Sequence, residues 1–154
     1  MLHSLRNVVT VIFALAASNA TALDGYPAAV LFSSETNSLG ETIRYPTTGP
    51  ARVTAAIVTI APGMRTEVHK HGVPLFIYVL EGEVTVDYGD RGIRKYAQGE
   101  SFLEAMAVAH TGINTGGQPV RILAVYMGAE GSENVIPVVS GQNSEGLAGG
   151  RPSA

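Results

Sequence analysis

The stretch Leu75-Phe-Ile-Tyr-Val-Leu80-Glu-Gly-Glu-Val-Thr-Val86 decides the fold of this chain. Residues 75–80 are apolar throughout, Glu81-Gly82 supplies a tight turn, and a second strand-like run covers residues 83–88. This pattern predicts two strands joined by a turn, and the first strand is predicted to be buried on both faces.

Similar short runs continue on both sides of this hairpin, and few segments show helical spacing. Gly, Pro and Asp separate the runs, as at Ala61-Pro62-Gly63 and in the predicted hairpin loop of residues 89–92. Many short strands at this spacing predict an all-β sandwich or barrel. The further predicted strands are residues 52–60, 66–71, 93–96, 101–104, 109–114 and 120–127, with 28–32 and 135–139 as weaker candidates.

The first residues have the pattern of a secretory signal peptide. One cation, Arg6, precedes an apolar run at residues 8–17, and Ala20-Thr21-Ala22 offers small residues for cleavage. We expect residues 1–22 to be removed and the protein to be periplasmic or secreted. A single domain is then predicted over residues 23–140, with its core at about 53–127, followed by a flexible tail at 141–154.

Composition excludes several classes of partner. Removal of the leader takes one of the 10 Lys and Arg and none of the 13 Asp and Glu, so the mature charge is 9 − 13 = −4. A mildly acidic chain without a basic run argues against nucleic acid and against membranes after leader cleavage. Cysteine is absent, so no disulfide staples the domain.

Three of the 4 histidines fall in two short segments. His69 and His71 are two residues apart, a spacing that places both imidazoles on one face of a strand. His110, from a distant predicted strand, would complete a metal site of three nitrogen ligands. Alternatively, the histidines could serve only in hydrogen bonding.

With these motifs the chain resembles the small single-domain cupins. Gly63, His69, His71 and Gly82 match the family's first motif, and Gly99, His110 and Asn114 match its second motif. The segment of residues 78–86 is also typical of the family. The resemblance implies a jelly-roll β-barrel that binds a divalent metal through the three histidines, and it implies a homodimer. Asn114 is expected to hold a turn rather than to contact substrate.

The chain departs from the first motif at one metal ligand. Leu75 stands where the family has a glutamate, so a carboxylate ligand is missing, although some cupins use three histidines alone. Three imidazoles suit iron, zinc, copper or nickel. Of the nearby acids, Glu67 is predicted to share the inward face with His69 on a regular strand, whereas a bend at residues 105–107 is expected to separate Glu104 from His110.

Two functions from different classes follow from this site. The first is an exported, dioxygenase-like metalloenzyme acting on a small organic substrate, with Glu67 as the candidate general base. Glu67 could instead only pair with Arg65 or Lys70 at the mouth of the barrel. The second function is a non-catalytic module that binds a metal or a small ligand. A metal-free isomerase is less favoured, because the chain lacks basic residues for a sugar-nucleotide diphosphate.

Overall fold

A computed structural model describes residues 27–138 of the chain. The predicted signal peptide and C-terminal tail lie outside these residues. The chain divides into two units, Met1–Val30 and Leu31–Ala154, and residues 27–30 of the first unit have no regular secondary structure.

Short β-strands build almost all of the regular structure between residues 31 and 138. One turn of 3-10 helix, Gly89–Arg91, lies in the predicted hairpin loop. The strands are β1 (Ala51–Ile60), β2 (His69–Lys70), β3 (Leu75–Glu81), β4 (Glu83–Asp87), β5 (Ile93–Ala97), β6 (Ser101–Leu103), β7 (Thr111–Ile113), β8 (Val120–Ala129) and β9 (Ile136–Pro137). The all-β prediction is therefore confirmed.

The strands form three antiparallel sheets around one core. Their orders are β1-β8-β3-β6, β5-β4-β7 and β2-β9. The core joins the first two sheets, because Ile77, Val79 and Ile122 of the larger sheet pack with Val84 and Val86 of the smaller sheet. This is the closed, two-sheet arrangement of a cupin-type jelly roll.

Strand β3 is buried on one face only, contrary to the prediction that both faces are buried. Leu75, Ile77 and Val79 are at most 3% exposed, whereas Phe76 and Tyr78 are half-buried. The strand ends at Gly82, where the backbone takes a positive φ of 78°. A Cβ at Gly82 would lie 3.1 Å from the carbonyl oxygen of Pro119, so glycine suits both the turn and its packing.

Three weaker sequence predictions have different outcomes. Residues 28–32 contain no strand, so that prediction is wrong. The predicted strand 66–71 is regular only at β2, which is too short to place Glu67 by strand alternation. The predicted edge strand at 135–139 is present as β9, which pairs with β2, and residue 139 lies outside the described part of the chain.

Among residues 27–138, the helical structure is too short to cross a membrane.

Candidate metal centre

The two histidine segments are joined through their backbones. The N–H of His69 donates to the carbonyl of His110 at 3.0 Å, and the N–H of His110 donates to the carbonyl of His69 at 2.9 Å. His71, two residues further along, donates its backbone N–H to the carbonyl of Met106 at 3.3 Å. These bonds place all three imidazoles at one end of the barrel.

Each imidazole is oriented by a hydrogen bond from its Nδ1 to a backbone carbonyl. His69 bonds to Glu67 at 2.7 Å, His71 to Asn134 at 2.9 Å, and His110 to Val108 at 2.9 Å. A carbonyl oxygen only accepts, so Nδ1 must carry the proton in every ring. In the neutral rings Nε2 therefore presents a lone pair, which is the state that a metal ligand requires.

The three histidines fit a metal ion. One ligand nitrogen from each ring lies within 4.8 Å of the others, and Nε2 of His71 is 3.3 Å from Nε2 of His110. Atoms that bind one metal at about 2.0–2.2 Å lie roughly 3.0–3.5 Å apart, so this separation is suitable. With Nδ1 protonated, the two Nε2 lone pairs face each other without a proton between them, an arrangement that a cation would stabilise.

Burial favours the neutral form of all three rings. It lowers the pKa of His69 and His110, and it lowers the pKa of His71 to about 4. The hydrogen bonds to backbone carbonyls act in the opposite direction, but they are the smaller effect in each ring. Near neutral pH the rings are therefore neutral, and a metal would bind Nε2 without displacing a proton.

The histidines border an inner cavity of about 80 Å³. Its wall is mostly apolar, with Leu75, Phe102 and Ile122 among its residues. Thr66, His69 and Tyr126 line this cavity and also an outer depression of about 300 Å³. The three histidines thus lie between the small inner cavity and the larger, more open outer depression.

Glu104 is the carboxylate beside the histidines, an outcome that the sequence analysis did not favour. The residue is 5% exposed, lines the inner cavity, and places Oε1 3.9 Å from Nε2 of His110. The chain bends at residues 106–108 rather than at 105–107, and the bend leaves the Glu104 side chain in the cavity. Oε1 accepts hydrogen bonds from the Tyr88 hydroxyl and from the Ala105 N–H.

Burial raises the pKa of Glu104 to about 7, against its hydrogen bonds with Tyr88 and Ala105, which lower it. Burial also raises the pKa of the Tyr88 hydroxyl, so Tyr88 remains a hydrogen-bond donor. Ser38 lies 2.8 Å from that hydroxyl. Together these groups form a buried polar chain that ends at His110.

Glu67 lies outside the inner cavity. Its side chain is exposed and lines the outer depression beside His69. The expectation that it shares the inward face with His69 is wrong, because the regular strand on which that expectation rests is confined to β2. Among the described residues, the ion pairs include none between Glu67 and Arg65 or Lys70. Its role as a general base stays a prediction.

Asn114 has the structural role that its motif predicts. It is fully buried, and its amide donates to the carbonyls of Ile60 at 2.9 Å and Gln118 at 2.8 Å. Its Oδ1 accepts the Gly116 N–H at 2.9 Å. The side chain therefore holds the turn between β7 and β8.

The sequence matches a cupin family model. Residues 56–126 match Cupin_2, described as a cupin domain, and this range contains all three histidines. Together with the all-β architecture, the match supports a cupin domain in this protein. No curated protein sequence matches the chain significantly.

Several solved structures are similar in fold. The oxalate decarboxylase of Lactobacillus farciminis in complex with formate is 23% identical, over 56% of this chain and 26% of that one, with a TM-score of 0.49. A mutant oxalate decarboxylase of Bacillus subtilis is 24% identical, over 56% and 24%, with a TM-score of 0.47. The polyketide cyclase RemF of Streptomyces resistomycificus is 23% identical, over 66% and 71%, with a TM-score of 0.47.

The alignment thus spans about a quarter of each of the two oxalate decarboxylase chains. These likenesses concern the fold alone.

The buried histidines and Glu104 should give the metal-free protein opposing pH dependences. His71 titrates lower in the folded state than its ordinary 6.5, so its contribution destabilises the fold as pH falls from about 6.5 to 4. Glu104 titrates higher than its ordinary 4.5, so its contribution destabilises the fold as pH rises from about 4.5 to 7. Glu104→Gln removes only the second effect.

We therefore expect the Glu104→Gln protein to lose more stability on acidification than the unmodified protein. Between about pH 7.5 and pH 5 the additional loss should be about 2 kcal/mol. Urea unfolding of both proteins at the two pH values, in the presence of a chelator, measures this loss in the free energy of unfolding. An equal loss in the two proteins would show that Glu104 is ionised at both pH values.

Proposed function

We propose that this protein is a metal-dependent cupin enzyme that acts on a small organic molecule. His69, His71 and His110 would hold one divalent transition-metal ion through Nε2. The observation that carries this proposal is the orientation of the three rings, in which every Nδ1 is committed to a backbone carbonyl and the opposite nitrogens converge. Histidines that only stabilise a core need not share this orientation.

The donor set restricts the metal and suggests the reaction class. Neutral imidazoles suit iron, zinc, copper and nickel better than the hard cations, which favour oxygen ligands. A metal held by three histidines supplies Lewis acidity and retains positions for water, dioxygen or substrate. With iron, this supports a dioxygenase-like oxidation, which is the reaction class that we propose.

The two cavities suggest how a substrate would lie. The outer depression of about 300 Å³ meets the inner cavity at Thr66, His69 and Tyr126. A small, partly apolar molecule could enter there and present its reactive end to the histidines. Glu67 lies on the outer depression beside His69, where it could accept a proton from the entering molecule.

A non-catalytic binding module is the second candidate. The observation in its favour is the inner cavity, whose volume of about 80 Å³ and apolar wall leave room for a metal and few other atoms. In that case the protein would capture a metal or a small ligand without further chemistry.

Metal binding itself is tested by His110→Ala. His110 is 2% exposed, and we expect its truncation to abolish stoichiometric binding of the metal, because two imidazoles cannot replace the converging set. Metal analysis and calorimetric titration of the purified protein measure the loss. Glu83→Gln is the control, because Glu83 is an exposed residue paired with Lys95 at 2.9 Å. Full metal occupancy in His110→Ala would show that the ligand assignment is wrong.

Catalysis is tested by oxygen consumption of the iron-loaded protein with a panel of phenols and diketones. We expect uptake with at least one substrate, and we expect Glu67→Gln to reduce kcat by about 100-fold with little change in KM, as for loss of a general base. Glu83→Gln again serves as the control. No uptake despite stoichiometric iron would favour the binding module.

We also propose that the protein is exported. This proposal is supported by the charged, apolar and small-residue segments of residues 1–22. Expression of the whole sequence in a bacterium should yield a periplasmic or secreted protein that begins at Leu23. Intact mass and N-terminal sequencing measure this cleavage, and an unprocessed cytoplasmic product would contradict it.

We also propose that two copies form a dimer. Strand β1 lies at the edge of its sheet, and Val53 and Ile57 on its outer face are 67% and 51% exposed. An exposed apolar strand at a sheet edge is a suitable surface for pairing with a second copy. Light scattering of the mature protein should give the mass of a dimer rather than that of a monomer.

A further inference from the structure

Strand pairing places Glu104 directly opposite Leu75. Phe76 pairs with Leu103 in the antiparallel pair of β3 and β6, and one step further the Glu104 N–H donates to the Leu75 carbonyl at 2.9 Å. Both side chains line the inner cavity. A carboxylate thus enters the inner cavity from the segment after β6, opposite the position at which β3 carries Leu75.

The carboxylate lies beside one of the three histidines. Oε1 of Glu104 lies 3.9 Å from Nε2 of His110. That separation exceeds the roughly 3.0–3.5 Å expected between two ligands of one metal by less than about 1 Å. Glu104 is not among the residues whose ligand atoms all lie within 4.8 Å of one another, so its side chain would have to rotate toward His69 and His71 to bind the same ion.

Two hydrogen bonds hold one oxygen of the carboxylate. Oε1 accepts from the Tyr88 hydroxyl and from the Ala105 N–H, the latter at 3.0 Å. These bonds keep the carboxylate at the wall of the inner cavity, beside His110.

Among the described residues, no Lys or Arg forms an ion pair with Glu104. Within residues 27–138, the ion pairs of Lys and Arg involve Glu83 and Glu81 but not Glu104, which approaches only His110. An isolated buried carboxylate is costly unless it is paired or bound to a metal. A divalent cation at the histidines would supply the compensating charge.

We propose that Glu104 is a fourth protein ligand of the metal, supplied from the segment after β6 in place of the residue at Leu75. This inference rests on the proposed metal centre, and it goes beyond that centre by giving it one negative charge. Tyr88, which bonds to Glu104 and contacts Ser38, is then a positioning residue for the ligand.

The test is metal titration of Glu104→Gln, which keeps the size of the side chain and removes its charge. Metal-free protein is titrated with Zn²⁺ for affinity and with Co²⁺ for its visible absorption spectrum, which reports the coordination shell. Removal of groups that merely support a ligand costs 10–100-fold in affinity, so loss of the ligand should cost about 100-fold or more. The Co²⁺ spectrum should also change, whereas Glu83→Gln should match the unmodified protein in both measurements.

The outcomes separate this inference from the metal proposal. If the unmodified protein binds neither ion, both fail. If it binds them and Glu104→Gln gives the same Co²⁺ spectrum, the histidine centre stands and the fourth ligand is overturned, even if the affinity falls. Should Glu104→Gln not fold, infrared difference spectra of the unmodified protein with and without Zn²⁺ decide the matter, because unchanged carboxylate bands would overturn the proposal.

A swap of positions gives a further check. Leu75→Glu combined with Glu104→Leu returns the carboxylate to β3, across the same strand pair. The double variant should bind Zn²⁺ at least tenfold more tightly than Glu104→Leu alone. A folded double variant with no gain in affinity would contradict the replacement of one position by the other.

Discussion

The reciprocal backbone hydrogen bonds between His69 and His110 are the constraint on which the site depends. The two bonds, at 3.0 and 2.9 Å, join β2 to the segment that leads into β7. β2 has two residues and β7 has three, so neither strand would be stable without its neighbours. The bonds bring the two imidazoles to a centroid separation of 4.6 Å. The grouping of the histidines is therefore a consequence of how the barrel closes at this end.

The end of the described chain completes the same site. β9 pairs with β2, and the carbonyl of Asn134 accepts the hydrogen bond that orients His71. A Cβ at Gly72 would lie 2.5 Å from the carbonyl oxygen of Glu133, so this approach depends on a glycine beside His71. The region that matches the cupin family ends at residue 126, before this segment. Part of the orientation of the histidine cluster, that of His71, is thus supplied from outside the matched region.

The strands and the grouping of the histidines were predictable from the sequence because both depend on local patterns. Residues 83–88 alternate and end at turn residues, which fixes β4, and the spacing of His69 and His71 places both rings on the same side. The role of Asn134 in orienting His71 was not predictable, because the residue acts through its backbone carbonyl, which every residue type has. Glu104 was missed for another reason. Its place opposite Leu75 follows from the register of β3 with β6, which the sequence of either segment does not specify.

Burial of the histidines and of Glu104 affects the stability of the metal-free protein. Burial favours the neutral form of the three imidazoles, of which His69 is only half-buried, and Glu104 is buried beside them without a Lys or Arg partner among the described residues. Each group alone lowers the stability of the metal-free protein over part of the pH range. The proposed divalent cation would bind the lone pairs of the neutral rings and compensate the charge of the carboxylate. Metal binding would then stabilise the fold over the pH range in which these groups weaken the metal-free protein.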